Sequence, residues 1–159
     1  MKLKLLITAL CFVTTSGLAA ELATRVGLTL EVAKQISAAA EAEAAKNKWT
    51  VAIAIVDEGG HLIHLAKIDN TQYGSVDVAI QKAQTSAAFK RPTKVFEEAI
   101  VGGRNAIIAL KGALPLEGGL PIIHDGKVIG AIGVSGVKST EDGQVAKAGA
   151  DALAGIVGK

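Results

Sequence analysis

The stretch "VAIAIVDEGGHLIHLAKID", Val51 to Asp69, decides the fold. A β-branched run ends in Asp57, Glu58, Gly59 and Gly60, and a second run of strand length follows, which predicts two antiparallel strands joined by a tight turn. "LPIIHDGKVIGAIGVSG", Leu120 to Gly136, repeats the pattern, and its Asp125-Gly126 pair between apolar segments favours a two-residue type I′ turn. Strands that come in hairpins build an antiparallel sheet, because a short loop cannot join parallel strands.

Helical segments surround these hairpins. Leu30, Val32, Ile36 and Ala40 recur at helical spacing behind Thr29, a residue able to cap, within an Ala- and Glu-rich stretch over 29–48. A second helix is expected over about Ser75 to Phe89, ending ahead of Pro92, and a short third one over "KVFEEAIV", 94–101, with Thr93 as its cap. "RNAIIAL", 104–110, reads as helical or extended. A closing helix follows Ser139 or Thr140 as cap, with Glu141 and Asp142 in its first turn. The expected class is α+β: one central antiparallel sheet built from hairpins, with helices packed on it. Gly130, Gly133 and Gly136 within the last strand mark a place where another backbone or a ligand comes close.

Residues 1–20 carry Lys2 and Lys4, an apolar run from Leu5 to Val13 and small residues before Glu21, the order of a secretory signal peptide. The expectation is a periplasmic or secreted protein whose single domain occupies 21–159. The apolar run is about half the roughly 20 residues that span a bilayer, so no membrane span is expected. Cys11, the single cysteine, falls inside the leader, which excludes disulfides, thiolate metal sites and a cysteine nucleophile from the mature chain. Loss of Lys2 and Lys4 also leaves equal numbers of basic and acidic residues. With charges dispersed and aromatic residues scarce, no nucleic-acid partner is expected.

Four pieces in order, "VAIAIVDEGGHLIHLAKID", "AIQKAQTSAAF", "EGGLPIIHDGKVIGAIGVSG" and "EDGQVAKAGADAL", resemble the GlcG/HbpS family, a haem-binding-type domain also found as the C-terminal part of PduO-like proteins. The resemblance runs from about Leu28 to Ala154. It implies a PAS/profilin-like fold, assembly into dimers or larger rings, and, for some members, haem binding or degradation. His61 matches the family's common histidine at the turn exit. The chain departs from the family pattern at His64, where a small residue is usual, at Lys67 for Arg, and at Ile68 for Met.

A haem pocket needs an apolar slot and an axial donor, for which His61, His64, His124 and, less readily, Tyr73 are the candidates. His61 and His64 are also the candidate metal ligands. In a regular strand residues three apart face opposite sides, so these two should not share a metal unless a bulge intervenes. His64 is expected to share a face with Leu62 and Ala66, and His124 to occupy an exposed corner that joins a site only where the two hairpins converge. Lys82, among small and apolar helical neighbours, reads either as a partner for a haem propionate or as a lysine snorkelling to solvent. An acid–base site with Asp57 or Glu58 beside His61, and Ser135 or Thr85 as hydroxyl, has no supporting spacing. "GAIGVSG" lacks the context of a phosphate loop, and the adjacent Glu97 and Glu98 diverge around a helix. The small residues Ala79, Ala83, Ser86 and Ala87 suggest close packing, taken here as a self-association surface.

The favoured reading is an exported, non-catalytic protein that binds a small ligand, haem or a related tetrapyrrole, and acts as a homo-oligomer. The alternatives are an enzyme of small organic acid metabolism with a pocket at a subunit interface, and an oligomeric scaffold without ligand.

Overall fold

The structure is a computed structural model and describes residues 20–158; the leader expected over 1–20 thus lies almost wholly outside the described residues. Its elements, in order, are α1 (Leu30–Lys46), β1 (Ala52–Asp57), β2 (Leu62–Lys67), α2 (Gly74–Phe89), α3 (Lys94–Val101), a 3₁₀ turn (Asn105–Ala109), β3 (Gly119–His124), β4 (Lys127–Ser135) and α4 (Ser139–Ile156). The four strands form one antiparallel sheet in the order β2-β1-β4-β3, which confirms the α+β class.

β1 is buried on both faces, and this sets the three-layer arrangement. Ile53 and Ile55 join Ile36 of α1, Ile132 of β4 and Val145 of α4 in one cluster, whereas Ala52, Ala54 and Val56 meet Ala79, Ala83 and Ala87 of α2 in the other. Each fully buried Ile of the first cluster contributes about 1.5–3 kcal/mol of burial free energy. The α2 side consists mostly of alanines, so its contribution is closeness rather than area. A Cβ on Gly133 would lie 2.0 Å from the Ala79 carbonyl oxygen and 2.5 Å from the Ala83 nitrogen. The glycine expected to mark a close approach therefore receives the backbone of α2. Ala79, Ala83 and Ala87 pack against the sheet, and Ser86 is buried with its hydroxyl donating to the Arg91 carbonyl, so the four are not a surface for another subunit; this corrects the self-association reading of that stripe.

Caps differ from expectation at two helices. Thr29 does cap α1, accepting from the Val32 N–H at 3.2 Å. Thr93, however, makes no cap bond: it is buried, and its hydroxyl accepts from the Gly119 N–H at 2.9 Å, tying the start of α3 to β3. α4 is capped by its acids rather than by Ser139 or Thr140, for Glu141 accepts from the Lys138 N–H and Asp142 from the Val137 N–H. Among the described residues no helix is long and apolar enough to cross a membrane.

Candidate functional site

Because β1 and β4 are antiparallel, with Asp57 opposite Gly130, the β1–β2 turn and the β3–β4 turn lie at the same end of the sheet. The first turn is built by Asp57, whose Oδ1 accepts from the Gly59 and His61 N–H groups, both at 2.8 Å, while Gly60 takes φ +84°. In the second, Asp125 and Gly126 both have positive φ, as a type I′ turn requires. Each hairpin carries a bulge near its turn. Leu62 pairs with Val56 and His64 with Ile55, which leaves Ile63 extra; Ile122 pairs with Gly130 and Ile123 with Val128, which leaves Ile129 extra. Bulges re-aim side chains, and the second of these lies on a cleft, whose lining includes Ile123, Val128 and Ile129.

That cleft, of about 690 Å³, brings Glu58 of the first turn together with His124, Asp125 and Lys127 of the second. Val26, Ile123 and Val128 supply apolar wall, Arg25 comes from the segment before α1, and Lys90 from the end of α2, where it stands at φ 52° as the C-cap. Its volume is that of a pocket for a drug-sized ligand. A second cleft of about 530 Å³ lies between β3 and α4 and also includes His124 and Asp125. His124 is half-buried, stands at the junction of the two clefts, and holds Nε2 3.5 Å from Asp125 Oδ2.

The other candidates are dispersed. His61 is 84% exposed in its side chain, with Nδ1 3.3 Å from Asp57 Oδ2, and its ring folds back over Gly59. It serves the turn. Partial burial alone would raise the Asp57 carboxyl, but hydrogen bonds from the His61 and Gly59 backbone and from the His61 ring hold it below its ordinary value. The bulge also separates His64 from Leu62: His64 is paired with Ile55, on the α1 face, whereas Leu62 is paired with Val56. The expectation that His64 shares a face with Leu62 is therefore wrong, because it assumed a regular strand. Tyr73 is exposed at the opposite end of the sheet, its ring 5.6 Å from Lys67 Nζ.

Lys82 neither snorkels nor reaches the cleft. It is 2% exposed, and its Nζ donates to Asp142 Oδ2 at 2.8 Å and to the Val134 carbonyl at 3.0 Å, joining α2, β4 and α4. Burial pushes the Asp142 carboxyl above its ordinary value, and the ion pair with Lys82 only partly opposes this. Glu97 accepts from the Glu117 N–H, and among the described residues no group of three or more His, Cys, Asp and Glu side chains could hold a metal ion. The residues missed in the sequence are Arg25, Lys90 and Lys127. No motif marks them, since they come from the segment before α1, the end of α2 and the start of β4, which meet only in the folded chain.

The family model described as "Haem degrading protein HbpS-like" matches residues 28–151. Protein GlcG of Escherichia coli K12 is 43% identical over 112 residues, covering 70% of this chain and 84% of GlcG. The crystal structure of a double mutant of Streptomyces reticuli HbpS superposes with a TM-score of 0.74 at 30% identity, covering 89% of this chain and 99% of that one. A PduOC–haem complex superposes with a TM-score of 0.72 at 24% identity, over 80% of this chain and 95% of that one, a likeness of fold. The match over the greater part of the chain, together with the GlcG identity, shows that this protein belongs to the HbpS-like family.

Proposed function

We propose that this chain is an exported protein that binds haem, or a related tetrapyrrole, in the cleft at the turn end of the sheet, with His124 as axial donor and without turning its ligand over. The observation that carries this is the donor set. The cleft presents one imidazole beside apolar wall and cations, and the described residues contain no cluster able to hold a bare ion. A bare transition metal needs three or four protein donors, whereas a tetrapyrrole brings four nitrogens and asks the protein for one or two axial atoms and an apolar slot. Lys90 and Lys127 would face the carboxylates of such a ligand, and Glu58 and Asp125 keep the cleft from being purely cationic. When bound, haem supplies redox and oxygen chemistry; the chain's part is to orient it and to limit its contact with water. The family's haem-related description and the haem-bound PduOC support the choice of ligand. The order of basic, apolar and small residues over 1–20 supports export.

The test uses protein recovered from the periplasmic fraction, whose sequenced N-terminus is expected at Ala20 or Glu21. Hemin titration should give a Soret shift that saturates at a stoichiometric ratio and is altered in His124→Ala but not in His61→Ala or His64→Ala. Absence of saturation rejects haem; an unaltered His124→Ala spectrum rejects the ligand assignment. The description "haem degrading" favours one second reading, turnover of the bound haem. Progressive Soret loss on adding a reductant or peroxide, faster than for free hemin, would establish that reading in place of simple binding.

A further inference from the structure

We propose that residues 20–27 form a strap that closes over the cleft when ligand enters, anchored at Leu28, with Arg25 exchanging Glu58 for an anionic group of the ligand. The proposal rests on the ligand-binding reading of the cleft. Leu28 is held in the fold: a Cβ on Gly130 would stand 2.4 Å from Leu28 Cδ1, so the leucine occupies the notch that the glycine leaves. Every residue from Ala20 to Gly27 is exposed, yet Thr24, Arg25 and Val26 make one wall of the cleft.

What holds that wall in place is weak. Arg25 Nη1 lies 4.0 Å from Glu58 Oε1, with side chains 77% and 34% exposed, and an ion pair of this kind contributes about 0–1 kcal/mol. Leu22 and Val26 stand 98% and 58% exposed on the same segment, and Val26 lines the cleft together with Ile123 and Val128. Covering a ligand would remove that apolar surface from water. A guanidinium binds a carboxylate through two parallel hydrogen bonds, so a ligand carboxylate held in that way is a better partner than a half-buried Glu58 at 4.0 Å. Glu58 returns to solvent when displaced. The strap is thus a two-position element that ligand can bias, because only the closed position adds contacts to the ligand.

Trypsin cleavage after Arg25 reads the strap directly, as the initial rate of release of the N-terminal peptide measured by mass spectrometry. A small peptide substrate in the same tube controls for inhibition of trypsin. Hemin at saturation should slow release by at least about fivefold, the factor that 1 kcal/mol of closure produces. In the free protein, Glu58→Gln should speed release by about two- to fivefold, since the latch is gone. Arg25→Gln should raise the hemin dissociation rate by about tenfold, with Arg25→Lys intermediate. A saturating Soret shift with an unchanged release rate overturns the strap and leaves haem binding intact. Where no Soret shift saturates, the haem reading fails, and an unchanged release rate in free Glu58→Gln overturns the strap as well.

Discussion

Lys82 shows how far residue type and neighbours carry a reading. Its small and apolar helical neighbours marked it as unusual, and that signal was real, but they point inward at another element of the same chain. The amine meets Asp142, sixty residues away in sequence, at 2.8 Å inside the core. Two buried charges gain little net stability from pairing, yet removing one leaves the other desolvated and alone. Lys82→Met is therefore expected to lower the unfolding free energy by about 3–5 kcal/mol in urea titrations. Lys82→Met with Asp142→Asn, which keeps an acceptor for the Val137 N–H, should come within about 2 kcal/mol of the parent protein. A double variant as unstable as the single one would show that the loss comes from packing and not from an orphaned charge. The histidines divide in the same way: His61 is explained by its own turn, whereas His124 gains significance from residues that local sequence does not reveal.

At the level of elements, both hairpins and all four helices follow from periodicity and turn chemistry, since these signals act within a few residues. Positive φ at Asp125 and Gly126 is written into the dipeptide itself. The bulges are not. Each lies beside its hairpin turn, and the extra residue, Ile63 or Ile129, packs into the core on the α1 side. The pairing of α2 with β4 is likewise tertiary, though Gly133 announced a close approach. Gly133→Ala should push α2 off the sheet and lower stability by about 1–3 kcal/mol, because its Cβ meets backbone atoms that cannot rotate away. A thermal midpoint unchanged from the parent would show that the helix shifts without loss.

For the whole molecule, the stretch from α3 to the loop before β3 carries Val101 84% and Ile108 70% exposed, with Val95 and Leu116 also open to solvent. Apolar side chains grouped in this way mark contact surfaces more often than scattered ones do. We propose that the homo-oligomer implied by the family resemblance uses these side chains and not the buried alanine stripe of α2. Val101→Asp combined with Ile108→Asp should reduce the mass measured by light scattering at micromolar concentration to that of a monomer, with the circular dichroism of the parent retained. A parent that is itself monomeric, or a variant of undiminished mass, would remove the proposal.

The four helices, the two hairpins and their order are legible in the amino-acid sequence, because these depend on local periodicity, on turn residues that set φ, and on loops too short for a parallel return, whereas 104–110 read equally as helical or extended. The four resembling segments likewise sufficed to name the family. Which side chains share a space follows from the packing of the layers alone. The antiparallel register of β1 with β4 sets both turns at one end, where Glu58, the His124–Lys127 hairpin, Lys90 and Arg25 meet from four separate stretches of chain. The same packing draws Lys82 into an ion pair beneath the surface. Burial and proximity across long sequence separations are properties of the assembled layers, and no local pattern encodes them.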